Sequence, residues 1–148
     1  MKFSEIEKEQ WEELKPYLDT CLLPITGLTG DETPWQATDA LEKLRDTMDW
    51  IEIPYKGRIV TYPALHYMGE AESFVEQINT VCKKLKDVGF HYLILISADP
   101  RLNDHYFEEA DLFISAKEAK NGRGGIGQLI ETCWARTPDS EKPMNEKG

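Results

Sequence analysis

His66, Asp99 and Arg101 are the residues in this chain best placed by type and position to serve a small ligand. Histidine exchanges a proton near neutral pH and can act as an acid or base. Together with an aspartate and an arginine on one edge of a sheet, it could bind and polarise a small anionic or phosphorylated molecule. The commoner role of such residues is to close surface turns, and Asp99-Pro100 is a frequent turn opener. The set is too sparse to nominate catalytic residues.

A second candidate is Gly122-Arg123-Gly124-Gly125-Ile126-Gly127, which fits G-x-G-x-x-G ahead of a helix. The backbone N–H groups of such a loop can cradle phosphate, with Gly122, Gly124 and Gly125 as the contact points. Against a dinucleotide site, the segment lies near the chain's end, Ala116–Asn121 separate it from the preceding strand, and no acidic residue follows on a second strand. Simple loop flexibility is the plainer expectation, and no cofactor is called for. His66, His91 and His105 have no ligand-type partner at helical spacing, and Cys21, Cys82 and Cys133 form no CxxC pair, so no metal site is expected. G-x-S-x-G and the phosphate-binding GxxxxGK[ST] are both missing. Trp11, Trp35, Trp50 and Trp134 fall on or beside helices, as core or interface anchors.

The elements that must carry these residues alternate along the chain. Ser4 and Glu7 have the form of a capping box for a first helix toward Leu14, ended by Pro16. Strands are predicted over 21–26, 58–62, 91–97 and 111–115, with Pro24 weakening the first. Thr33-Pro34-Trp35-Gln36 starts a helix whose apolar stripe runs through Ala37, Leu41, Leu44 and Met48. A longer helix from about Glu70 carries Phe74, Ile78, Val81, Leu85 and Val88, with Gly89 as its C-cap. A short helix is expected after Asn103, and a last one after a glycine loop over 121–127, bearing Leu129, Ile130, Cys133 and Trp134. Strand–helix alternation implies a three-layer α/β/α sandwich with a mostly parallel sheet of about four strands, Rossmann-like or flavodoxin-like. Ligands in such folds sit beyond the carboxyl ends of the strands, where His66, Asp99 and Arg101 fall.

The whole chain sets the outer limits. At 148 residues one domain is expected, over residues 1–136, with 137–148 as a flexible polar tail. A net charge of −10 repels phosphate backbones and anionic lipid, which argues against nucleic acid. No apolar run approaches the length of a membrane span. The acidic opening segment is unlike a signal peptide, and three unpaired cysteines in apolar stretches suit a reducing, cytoplasmic compartment.

Several phrases resemble a known family. Tyr17-Leu18-Asp19-Thr20 running into Leu23-Pro24, then Lys56-Gly57-Arg58, Pro63-Ala64-Leu65-His66-Tyr67-Met68-Gly69-Glu70 and Lys86-Asp87-Val88-Gly89-Phe90 are similar to the YpiF-like proteins. This is an uncharacterised Bacillus-type family encoded near menaquinol–cytochrome c reductase genes. The resemblance covers about the first two-thirds of the chain and implies at most an accessory role in respiration, with no catalytic residues to carry over. Ala110–Ile114, the glycine segment and a helix bearing Glu131 resemble the last strand–loop–helix of nucleoside deoxyribosyltransferase-like proteins. That resemblance implies a nucleophilic role for Glu131, although the Gly-to-Glu spacing departs from the family's phrase. Two functions follow as expectations: a non-enzymatic accessory module binding a protein partner or small anionic ligand, or a small enzyme acting on a nucleoside-like or phosphorylated substrate.

Overall fold

The computed structural model describes residues 1–69 and 71–136. The proposed tail, 137–148, lies outside them, as does Glu70 at the expected start of the long helix. The elements are α1 (Lys8–Leu14), β1 (Thr20–Leu28), α2 (Pro34–Glu52), β2 (Ile59–Thr61), β3 (Leu65–Tyr67), α3 (Ala71–Val88), β4 (Tyr92–Ile96), β5 (Leu112–Ile114), α4 (Ala116–Ala119) and α5 (Gly122–Ala135).

The strands run in the order β2–β1–β4–β5, all pairs parallel, with β3 also pairing β1. β1 and β4 are buried along their whole length because both faces are covered. Side chains alternate between two cores. Cys21, Leu23, Ile25, Leu93 and Leu95 face α1 and α3, where they meet Phe74, Ile78 and Leu85. Leu22, Ile94, Ile96 and Ile114 face α2 and α5, where they meet Leu44, Ile51, Ile126 and Ile130. The result is the expected three-layer sandwich, and with β2 and β3 counted as one edge strand its order is the beginning of the flavodoxin-like order.

Pro24 belongs to the central strand despite having no N–H to give. The Leu22 C=O accepts from the Tyr62 N–H at 2.9 Å, so that side of β1 faces β2. Two residues on, Pro24 turns the same side outward, and there the neighbouring strand is interrupted: β2 pairs with residues 20–22 of β1, and β3 resumes pairing at Ile25. The edge strand is therefore split in two around Pro63, and β3 was not among the strands expected. Its register shifts between Ile25 and Leu28, where Gly27 takes φ +80. Such an extra-residue irregularity calls for glycine.

Other boundaries moved for local reasons. The first helix starts at Lys8, because Glu7 and Gln10 form the reciprocal cap; Ser4 lies instead in a 3₁₀ turn, Phe3–Glu5. Thr33, Pro34 and Gln36 cap α2 as expected, with the Thr33 N–H donating to Gln36 Oε1 at 2.9 Å. Its buried residues are Leu44, Thr47 and Ile51, while Leu41 is exposed, so the stripe is rotated from the expected one. Val88 is likewise exposed at the end of α3, and Cys82 takes a core position in that helix. Pro100–Leu102 form a 3₁₀ turn in place of a helix after Asn103. The largest correction concerns the glycine segment. It is the start of α5, with only Gly122 (φ +75) in the left-handed region. Ile126 and Ile130 seat this stretch on the core as a helix, and that burial overrides the weak helix propensity of glycine.

Candidate functional site

The connection leaving β1 passes through α2 on one face to β2, and the one leaving β4 passes through Leu102 and Phe107 on the other face to β5, on the opposite side of the sheet. Their divergence makes the carboxyl ends of β1 and β4 the topological switch point, the crevice where ligands bind in open parallel sheets. Thr26 and Gly27 lie near the end of one strand there, just before Leu28, and Ser97 and Asp99 follow the other.

At this position the chain's own side chains pair with one another, Asp99 mostly covered and Arg101 still 55% exposed. The Asp99 carboxylate caps the Pro100–Leu102 turn by accepting from the Arg101 N–H at 2.9 Å. It also accepts from Arg101 Nε at 3.1 Å, and the Arg101 guanidinium reaches across to donate to the Gly27 C=O at 2.6 Å. The Asp99 N–H donates to the Oγ of buried Ser97 at 3.2 Å, fixing the base of the turn. Gly27 leaves the space this requires, since a Cβ there would overlap the Asp99 carboxylate. The hydrogen bond to Asp99 raises the proton affinity of Arg101 above its ordinary value, and the charges of Asp99 and Glu32 add to it. Glu32 is itself held by the loop after β1. Its carboxylate accepts from the N–H groups of Thr29 and Gly30, and these bonds, Thr29's first, pull its pKa down to about 2.

His66 stands on the other side of β1. Its Nδ1 lies 3.3 Å from Thr26 Oγ1, which also donates to the His66 C=O at 3.1 Å. The imidazole is exposed and lines a cavity of about 620 Å³ with Leu65, Tyr67, Phe74 and Gln77, in the α3 layer. Gly124 lines a different hollow, about 680 Å³, among Trp50, Tyr55, Arg123 and Glu131, in the α2/α5 layer. The structure thus brings Asp99 and Arg101 together with Gly27, sets His66 beside Thr26 one strand away, and places the glycine segment on the opposite face from the His66 cavity. In the α2/α5 hollow, Tyr55 donates to Glu131 Oε2 at 3.0 Å. Tyr55 passed unnoticed in the sequence because only tertiary packing joins it to Glu131. Trp35 is largely exposed, whereas Trp11, Trp50 and Trp134 pack against the two cores.

A family model described as a protein of unknown function (DUF2487) matches residues 9–117. The chain belongs to the DUF2487 family. No curated protein and no solved structure matches it. The DUF2487 match takes in His66, Asp99 and Arg101 and stops before α5, so both grooves draw on residues inside it while Glu131 lies beyond it. No described helix of this DUF2487 protein is long and apolar enough to cross a membrane. Among the described residues, no group of three or more His, Cys, Asp or Glu is arranged to hold a metal ion.

Proposed function

We propose that this DUF2487 protein is a non-enzymatic binding protein of the bacterial cytoplasm, an accessory that engages a protein partner. One observation carries the proposal: the Arg101–Asp99–Gly27 contact occupies the place where this fold would otherwise admit a substrate. A sheet that closes its own switch point is suited to present a surface. The likeness of the first two-thirds to the YpiF-like Bacillus-type proteins supports an accessory role near the respiratory chain. The test is a thermal-shift screen of nucleotides, nucleosides and sugar phosphates on the full chain and on Arg101→Ala. A ligand binding only the native state raises the melting temperature. No shift is expected for the wild type. A stabilisation that Arg101→Ala abolishes would instead make Arg101, with His66 and Asp99, a site for a small anionic ligand.

A second reading rests on the α2/α5 hollow, where Tyr55 orients the Glu131 carboxylate beside Arg123, Trp50 and Gly124. An aromatic wall, an oriented carboxylate and a guanidinium suit a nucleoside-like or phosphorylated molecule, in keeping with the deoxyribosyltransferase-like phrase. Release of free base from a nucleoside, lost in Glu131→Gln, would favour it over the binding-protein function.

A further inference from the structure

We propose that the groove between β3 and α3 takes up an extended, lysine- or arginine-bearing segment of a partner protein, which adds as a strand to the free edge of β3. This rests on the partner-binding function above and names the surface and the chemistry of the partner.

The outer edge of this sheet already accepts an extended chain once. The Thr61 N–H donates to the Met1 C=O at 2.8 Å, and Lys2 bridges Thr61 in parallel, so the first residues cover β2. The Phe3–Glu5 turn then carries the chain away before it reaches β3. In β3 the His66 C=O accepts from Thr26 Oγ1 and the Met68 N–H donates to the Leu28 C=O, so both groups face β1. Tyr67 stands opposite Leu28, whose C=O takes the Met68 N–H, so the Tyr67 N–H and C=O turn away from β1 to the open edge, where no described strand pairs with β3. An unpaired edge of this kind is a template for another strand.

Beside that edge runs the groove of about 620 Å³, walled by Leu65, His66 and Tyr67 on the strand and by Phe74, Gln77 and Val81 on α3. An edge strand facing a helix offers main-chain bonds for affinity and pockets for alternate side chains. Leu65 and Phe74 belong to the α3-side core, so the floor is apolar. The rim is acidic: Glu76 lines the groove and Glu72 joins it around the neighbouring hollow with His105. Neither glutamate makes an ion pair among the described residues. A cationic side chain on the incoming strand would meet both. The net charge of −10 steers a basic segment toward the protein and disfavours a second copy of the same chain on this edge.

The test uses fluorescence anisotropy of a labelled peptide alternating valine and lysine, titrated with the full-length protein. Saturable binding is expected, with none for the valine–aspartate counterpart. Glu76→Lys should weaken it about fivefold, the upper range for an exposed charge pair. Two further peptides carry N-methyl groups on alternate amides, one in each register. A strand pairing along one edge uses every second amide, so one register should bind and the other should not. Hydrogen exchange at the Tyr67 amide should slow when the peptide is bound. Equal binding of both methylated registers, perturbation confined to the α2/α5 face, no binding at all, or self-association of the protein at this edge would each overturn the proposal. A partner captured elsewhere on the surface would sink the groove alone and leave the binding-protein function standing, whereas a ligand found by the thermal screen would remove that function itself.

Discussion

Two residues show how much of the strand-end arrangement hangs on single atoms. Gly27 combines φ +80 with direct apposition to the Asp99 carboxylate. Gly27→Ala must strain the backbone and displace Asp99, so it should lose about 1–3 kcal/mol, seen as a lowered urea midpoint. The same variant should break the Arg101 contact to the position 27 carbonyl. Glu32 offers a titration. Its pKa is depressed in the folded chain to about 2 by the Thr29 and Gly30 amides, against an ordinary value of about 4.3. Its stabilisation is complete above the unfolded value and disappears as pH falls through the folded one. The difference in stability between wild type and Glu32→Gln should therefore be constant near neutrality and vanish between about pH 4.5 and 2, measured by urea unfolding across that range. An unchanged difference at pH 2 would refute this account. At this scale the sequence was legible in part. The rule that function gathers at strand ends pointed to Asp99 and Arg101, since it needs only the strand boundaries. That Arg101 would donate to Gly27 could not be read, because the contact depends on how β1 and β4 lie side by side.

Helix α5 shows where element-level reasoning failed. Several glycines in six residues read as a loop, since each costs helix propensity, yet Ile126 and Ile130 bury this stretch as a helix. The glycines are not equivalent. A Cβ at Gly124 meets nothing within 4 Å, whereas at Gly125 it would collide with the Asn121 side chain. Gly124→Ala should therefore stabilise by about 0.5–1 kcal/mol, and Gly125→Ala should be neutral or destabilising. Paired thermal melts decide this, and equal gains would count against the distinction. The split edge strand was missed for a different reason. β3 has three residues, of which His66 and Tyr67 are exposed, so it carries no burial period. β1 and β4, the two longer strands, announced themselves by continuous hydrophobicity, as strands covered on both faces do, and β2 and β5, each as short as β3, were marked by the apolar residues they carry. The two exposed positions in expected stripes, Leu41 and Val88, mark where helical spacing fixes a face only to within a turn.

For the molecule as a whole, the family match and the folding unit do not coincide. The match ends at Lys117, but α5 contributes Ile126 and Ile130 to the core facing α2. Its far end is fastened as well: Trp134 Nε1 donates to Thr20 Oγ1 at 2.8 Å, and Arg58 stacks over the Trp134 ring, 3.9 Å to its centroid, while gripping Asp19. A chain ending at residue 117 would expose one face of β4 and β5, and it should be largely unfolded by circular dichroism and amide dispersion. A well-folded fragment would show that α5 is an appendage. This dependence was hidden in the sequence, because the ring and the guanidinium that meet are distant along the chain.

The buried cysteines give the two layers separate clocks. Cys82 sits on α3 and Cys133 on α5, both without a disulfide, and desolvation pushes the Cys82 thiol up to about 12 and raises that of Cys133. Neither can react with an alkylating reagent until its helix lifts from the sheet. In single-cysteine variants, the labelling rate at each site therefore times the opening of one layer. Equal rates would mean that the sandwich opens as one, and a faster Cys133 would mean that the glycine-bearing helix leaves first.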